Sequence, residues 1–147
     1  MKKWIGIVLV LALVLTMAAC GGSSEPTAMD GKWIAMAGEM MGIQVPVKDV
    51  FGGDFYFVIQ GTGKAEVVVA DVSEKDAWSL EGDQFTLEIR GADPCVGTLV
   101  GDTVVFENLM DTGLTIIFAR EGTEACDPAL YDNLDEIMEE LEAALGQ

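Results

Sequence analysis

Two stretches with the same alternation of apolar and polar residues stand in the middle of the chain. The first covers residues 79–88 around Gly82-Asp83, and the second covers residues 98–107 around Gly101-Asp102. Alternation with period two is typical of a strand that buries one face. A two-residue loop that begins with Gly is typical of a type II′ turn, because Gly adopts positive φ without steric cost. Each stretch therefore predicts a β-hairpin.

The two turns also predict which residues lie opposite each other, because a two-residue loop fixes the register of its strands. The predicted pairs are Trp78 with Leu87, Leu80 with Phe85, Val100 with Thr103, Leu99 with Val104 and Gly97 with Phe106. The last pair places an aromatic ring over a strand glycine, an arrangement that sheets use to fill the space above it.

Further strands are predicted on both sides of these hairpins, at residues 31–36, 55–60, 64–70 and 114–120. Residues 38–53 contain several glycines and Pro46 without a clean period, and they predict a long loop with a short helical turn at 47–51. Eight short strands joined by tight turns predict a mainly β fold. We expect an antiparallel up-and-down meander, closed or nearly closed into a barrel.

The C-terminal tail changes from strand to helix patterning. Asp127 is a good N-cap and Pro128 suits the first helical position. Apolar residues then recur every three or four positions, at Leu130, Leu134, Ile137, Leu141 and Leu145. We expect this amphipathic helix to pack on the barrel wall, with Val96, Val100 and Val105 as its dock. A helix that binds a partner or a second copy is the alternative.

The N-terminus has the pattern of an export signal, with Lys2 and Lys3 before an apolar run that ends at Ala19. That run is shorter than the roughly 20 residues of a spanning helix. Its end, Leu15-Thr16-Met17-Ala18-Ala19-Cys20, resembles a bacterial lipobox, although Met17 stands where Leu is usual. The resemblance implies a diacylglycerol thioether on Cys20 and cleavage before it. An uncleaved anchor or an ordinary secretion signal is the alternative.

These patterns divide the chain into four parts and predict its location. The parts are a lipoprotein signal peptide (1–19), a lipidated Gly/Ser-rich tether (20–29), the barrel (30–121) and the C-terminal helix (122–147). Two or more acyl chains, palmitate among them, hold a protein stably on a membrane. The predicted location is therefore the extracytoplasmic face of the bacterial cell membrane.

Charge and composition argue against several classes of function. The chain has 25 acidic and 8 basic residues, a net charge of −17 and no histidine. Nucleic acid is an improbable partner, because phosphate binding needs Lys and Arg. The chain lacks the commonest general base and zinc ligand, and it has no P-loop and no G-x-S-x-G motif. We expect a protein without catalysis, cofactor or metal.

The order of motifs resembles the lipocalin or calycin pattern, and more closely the small lipocalin-like lipoproteins of Gram-positive bacteria. The motifs are Gly31-Lys32-Trp33, Leu80-Glu81-Gly82-Asp83 and Leu99-Val100-Gly101-Asp102, and the match covers residues 31–120. The resemblance implies that Arg120 lies over Trp33 and closes one end of the barrel. It also implies that the loop at 38–53 is a lid over the mouth of a ligand cavity.

The resemblance predicts non-catalytic binding of a small apolar ligand under that lid. The residues expected near it are Met40, Met41, Val45, Phe51 and Met110. The alternative is a structural or protein-interaction module, because an eight-stranded barrel has room only for side chains or one small ligand. In that case Trp78, Phe85, Phe106 and Phe118 fill the interior.

Two cysteines, Cys95 and Cys126, remain if Cys20 is lipidated. Two cysteines in an exported domain favour one disulfide. The meander argues against it, since Cys95 starts a strand at the mouth and Cys126 follows a strand that ends at the closed end. Bridged Cα atoms must lie within about 7 Å of each other, and the sequence leaves both alternatives open.

Overall fold

The computed structural model describes residues 25–109 and 111–145. Its strands are β1 (Gly31–Met40), β2 (Ile43–Val45), β3 (Phe55–Ile59), β4 (Ala65–Val69), β5 (Val72–Glu81), β6 (Gln84–Glu88), β7 (Cys95–Val100), β8 (Thr103–Leu109) and β9 (Leu114–Arg120). A short helix α1 (Val47–Phe51) follows β2. The chain ends in 3₁₀ turns at Glu124–Cys126 and Pro128–Asn133 and in helix α2 (Leu134–Leu145).

Strand β1 closes the meander into an antiparallel barrel. Neighbours in sequence pair from β3 to β9, and β9 then pairs with β1 from Trp33↔Arg120 to Met40↔Leu114. The first half of β1 pairs with β3, whereas its second half pairs with β2. Eight strands therefore form the closed barrel, with β2 as an added arm, and the predicted mainly β fold class is confirmed.

The two central hairpins have the predicted turns and the predicted registers, except that the second ladder ends before the predicted pair of Gly97 and Phe106. Gly82 and Gly101 have φ values of 64° and 59°, as the first position of a type II′ turn requires. Leu80 lies opposite Phe85, and Leu99 lies opposite Val104. We call the barrel end that holds these two turns and Trp33 the closed end, and the opposite end the mouth.

The segment predicted as a long loop is more ordered than its sequence suggests. Residues 38–40 continue β1, and Met41-Gly42 forms a tight turn with φ values of 54° and 75°. The helical turn lies at Val47–Phe51, where it was predicted. The loop prediction was wrong for residues 38–45 because Met rarely takes positive φ, so Met41-Gly42 does not look like a hairpin turn.

The C-terminal tail packs on the outside of the barrel. Asp127 caps the first turn, since its Oδ1 accepts from Ala129 N at 3.0 Å, and that turn is 3₁₀ rather than α. Tyr131 and Leu134 then bury against the outer faces of β1, β8 and β9. The residues that receive them include Ala37, Val105 and Ile117, with Val100 at the edge. The predicted dock was wrong for Val96, which is 49% exposed.

Within the described residues, no helix is both long and apolar enough to cross a membrane. The predicted signal peptide and Cys20 lie outside the described residues.

Candidate functional site

The closed end is sealed by a cation stacked on an indole. The guanidinium carbon of Arg120 lies 4.7 Å from the centroid of the Trp33 ring. The Trp33 Nε1–H donates to the carbonyl of Met29 at 2.9 Å. Arg120 Nε is 3.8 Å from an Asp102 oxygen, which makes an ion pair too long for a hydrogen bond. This buried Nε has no hydrogen-bond partner among the described residues, so the guanidinium is held by the indole face and by this longer ion pair.

A chain of stacked rings crosses the barrel just inside this seal. Trp33 stacks on Phe57, Phe57 on Phe85 and Phe85 on Trp78, with centroid separations of 6.1, 5.4 and 5.9 Å and interplanar angles of 22° or less. Trp78 Nε1 donates to the carbonyl of Gly61 at 2.9 Å. The four rings therefore fill the closed half of the barrel, and both indole N–H groups have partners.

A second set of rings carries this packing to the mouth. Phe118 meets Phe57 and Phe55 at 5.0 Å, and Phe106 at 5.5 Å. Phe55 in turn meets Phe51 of helix α1 at 4.7 Å. Ring contacts therefore run without a break from Trp33 at the closed end to helix α1 at the mouth.

The predicted ligand residues that the structure describes differ in their burial. Met40, Val45 and Phe51 are partly buried and pack against the interior cluster. Met41 is 93% exposed at the tip of the β1–β2 turn. Met110 lies outside the described residues. Strand β2 and helix α1 thus pack against the aromatic interior, whereas Met41 is exposed to solvent.

The wall of the barrel opens beside the lid. A groove of about 230 Å³ lies where β1 parts from β3 beneath helix α1. Lys32 lies 4.2 Å over the Tyr56 ring on one side, and Lys48 forms a 3.0 Å ion pair with Asp54 on the other. Its volume is below the roughly 300 Å³ at which pockets for drug-sized ligands begin.

A second opening lies on the far side of the mouth, between β7 and β8. It consists of a cleft of about 160 Å³ and an open groove of about 390 Å³. Val96 and Glu107 line both, so the two form one continuous surface, which we call the β7 furrow. Its lining residues are Asp83, Gln84, Asp93, Pro94, Cys95, Val96, Gly97, Thr98, Val105, Phe106, Glu107, Asn108, Leu109 and Asp111.

The two cysteines are on opposite sides of the barrel wall. Cys95 is buried in the interior cluster. Cys126 lies outside, with its Sγ 3.8 Å from Sδ of Met36, and burial together with the nearby Glu121 raises the pKa of its thiol. The sequence left a disulfide between them open, and in this structure they form no bridge with each other, because β strands of the wall separate the two side chains.

Tyr131 of the C-terminal tail is buried against the outer wall of the barrel. Tyr131 Oη donates to the carbonyl of Ala125 at 2.7 Å. Burial, with a smaller contribution from Cys126, raises the pKa of Tyr131 to about 12. The Tyr131 carbonyl also accepts from Gln44 Nε2 at 3.3 Å, so the tail is tied to the β1–β2 arm.

Across residues 25–109 and 111–145, no three or more His, Cys, Asp or Glu side chains come together in a group that would hold a metal ion. Comparisons with models of known protein families, with curated proteins and with solved structures gave no match.

Proposed function

We propose that this protein is a membrane-tethered, extracytoplasmic interaction module, in which the barrel is a rigid support and recognition takes place on its outer surface. Of the two functions that the sequence predicts, this one agrees better with the filled interior. The proposal includes a diacylglycerol anchor on Cys20 and no catalytic step.

The observation that carries the proposal is the unbroken series of ring contacts from Trp33 to Phe51. Five of the largest side chains in the barrel are less than 2% exposed, namely Trp33, Phe57, Phe85, Phe106 and Phe118. Protein cores of interdigitated side chains contain few voids larger than a water molecule. A ligand that entered along the barrel axis would have to displace these rings.

A second candidate function is binding of a small molecule in the groove beneath helix α1. The observation that favours it is the meeting of an apolar wall, Ile34, Val47 and Phe55, with the cations of Lys32 and Lys48. Such a ligand would be anionic at one end and lie on the outside of the barrel, unlike the ligand predicted from the lipocalin resemblance.

Native mass spectrometry of the mature protein, released gently from its own membrane, distinguishes these functions. We expect the mass of the lipidated chain alone in every preparation. A reproducible additional mass of a few hundred daltons, removed by Lys48→Glu but not by Lys75→Glu, would support the groove and overturn the interaction module. Lys75 is an exposed lysine on β5, away from the groove.

The anchor is tested separately by metabolic labelling with palmitate. We expect label in the wild-type protein, no label in Cys20→Ser, and release of that variant or its retention as an uncleaved precursor. A Cys20→Ser protein that is processed and membrane-bound like the wild type would refute the lipid anchor. This result would leave the proposal for the barrel surface standing.

A further inference from the structure

The ladder between β7 and β8 stops before the strands end. The two pair at Val100↔Thr103, Leu99↔Val104 and Thr98↔Val105, and no further. Strand β7 nevertheless extends back to Cys95 along β6, and β8 extends forward to Leu109 beside β9. At the mouth, residues 96–97 of β7 and 106–107 of β8 therefore lie beyond the pairs that join the two strands.

Gly97 and Phe106 would be the next pair of this ladder, and Val96 and Glu107 would be the next pair whose main-chain groups face each other. Leu99 N–H donates to the Asp83 carbonyl at 2.7 Å, on the β6 side of β7. Because alternate residues of a strand direct their main-chain groups to opposite neighbours, Thr98 and Val96 face β8. The main-chain groups of Val96 therefore point into the furrow, and its side chain is 49% exposed.

A bulge in β8 turns this strand away from β7. The register with β9 shifts between Phe106 and Leu109, and Asn108 takes a φ of 52°. The Asn108 side chain holds the bend, since its Oδ1 accepts from Gly113 N at 2.7 Å. The bend at Asn108 thus makes the opening part of the fold. Bulges of this kind are common at the rims of barrels.

The furrow that results has an apolar floor and an acidic rim. Val96 supplies the exposed apolar side chain of this floor, since Phe106 is buried on the inner side of the wall. Four carboxylates stand around it, those of Asp83, Asp93, Glu107 and Asp111, and none of its lining residues is basic. An extended chain with basic side chains is complementary to this surface in two ways. Its main chain can hydrogen-bond to the strand edge at Val96, and the carboxylates neutralise its charge.

We propose that the β7 furrow binds an extended, basic segment of a partner protein, whose main chain hydrogen-bonds to Val96 and whose Lys or Arg side chains meet the acidic rim. This inference rests on the proposed function and specifies its surface. Three of the six residues of β7 already pair with β8, so β7 offers main-chain partners to the bound segment only near Val96.

Charge decides between this partner and other occupants. A second copy of the chain would bring a net charge of −17 towards the same carboxylates, and nucleic acid would bring phosphates. Both are repelled at the separations of a contact, where exposed charges are poorly screened by salt. A basic segment is the occupant for which the field of the protein raises both the association rate and the affinity.

The probe is a fluorescein-labelled octapeptide of alternating Lys and Val, blocked at both ends, with anisotropy measured against the full mature protein in phosphatidylcholine nanodiscs. Two charge reversals are compared, Glu107→Lys in the furrow and Glu74→Lys on β5, both at exposed positions. A second matched pair is Val96→Lys and Val72→Lys, which are 49% and 63% exposed in the wild type. Two further peptides are tested, one N-methylated at alternate residues and one of alternating Glu and Val.

We expect Glu107→Lys and Val96→Lys each to weaken binding of the Lys-Val peptide about tenfold, and the two β5 variants to change it less than twofold. We also expect N-methylation to weaken binding, because it removes main-chain donors, and the Glu-Val peptide not to bind. Equal losses in both members of a pair would overturn the furrow in favour of diffuse charge attraction. Full affinity of the N-methylated peptide, or no binding of the Lys-Val peptide at 1 mM, would also overturn it.

Photo-crosslinking in cells separates failure of the furrow from failure of the proposed function. A benzophenone side chain is placed at Val96 in the furrow, at Ile43 on the β1–β2 arm, or at Leu130 on the tail, all exposed positions. An adduct at Val96 that the Lys-Val peptide suppresses supports the inference. Adducts at Ile43 or Leu130 with none at Val96 would overturn the furrow and leave an interaction module in place. A bound small molecule in native mass spectra would overturn the module itself.

Discussion

Replacing Phe57 with alanine tests whether the interior of the barrel is filled. The Phe57 side chain is fully buried and its ring meets four others, with centroids at 6.1 Å for Trp33, 5.4 Å for Phe85, 6.5 Å for Phe106 and 5.0 Å for Phe118. No other described residue has more of these ring contacts. The variant therefore removes the centre of the aromatic packing and leaves the strand in place.

The expected loss of unfolding free energy is near the top of the range for such a change. Truncation of a buried Phe to Ala costs about 3–5 kcal/mol through lost transfer free energy and the cavity left behind. Each well-oriented ring pair adds about 0.5–1.5 kcal/mol beyond the buried area. We expect Phe57→Ala to lose about 4–5 kcal/mol, a large part of the roughly 5–15 kcal/mol that a domain has in total.

The assay is urea unfolding of the full mature protein, followed by far-ultraviolet circular dichroism. The matched control is Val72→Ala, which truncates an apolar strand residue that is 63% exposed and should change stability by no more than about 0.5 kcal/mol. A loss below about 2 kcal/mol for Phe57→Ala would refute the reasoning, because a ring at the edge of an existing void leaves little new cavity.

Benzene provides an independent measurement on the same two proteins. An engineered apolar cavity stays dry and binds benzene, so benzene should raise the unfolding midpoint of Phe57→Ala and leave that of the wild type unchanged. Equal stabilisation of both proteins would mean that the native barrel already contains a cavity. That outcome would restore the apolar-ligand function and remove the main support for the interaction module.

Three further changes test other parts of the barrel by the same urea assay. Gly97→Ala should cost about 1–3 kcal/mol by overpacking, because its new Cβ would lie 2.9 Å from a carbon of the Phe106 ring; wild-type stability would contradict the close approach. Arg120→Met keeps the aliphatic stem and loses the cation over Trp33, for an expected cost of about 0.5–2 kcal/mol; an unchanged midpoint would argue against the seal. Tyr131→Phe loses one hydrogen bond, worth about 1 kcal/mol at pH 7. The neutral phenol is favoured in the folded state, so wild-type stability should fall as pH rises from about 10, where the unfolded phenol ionises, to about 12; the same fall in the variant would refute this assignment.

The parts of the fold that the sequence predicts are those in which one residue type decides the local geometry. Gly82 and Gly101 occupy a position that demands positive φ, so the turn, the register and the buried face follow from them. The β1–β2 turn was missed because Met41 takes positive φ at a steric cost that the surrounding strands must offset. Its signal was the following Gly42, which by itself also fits a loop.

The candidate site was harder to predict because it depends on how strands part, which no residue type encodes alone. The lipocalin resemblance predicted ligand contacts at Met40, Met41, Val45 and Phe51. None of these residues lines the furrow or the groove beneath helix α1. Asn108 was the available signal for the furrow, since Asn tolerates the left-handed conformation of a bulge. The side of the wall on which Cys95 and Cys126 lie depends on the route of the tail, which hydrophobic periodicity does not specify.

The ladder between β1 and β9 has a consequence for how the protein reaches its native state. Strand β1 finds one of its partners, β9, only at the far end of the barrel, with Trp33 beside Arg120, so the last pairing step closes a loop that contains almost all of the barrel. Chains whose contacts span such distances fold slowly. Until that step, two bare sheet edges and a row of aromatic rings face water, and the nascent protein is at its most vulnerable to aggregation and proteases.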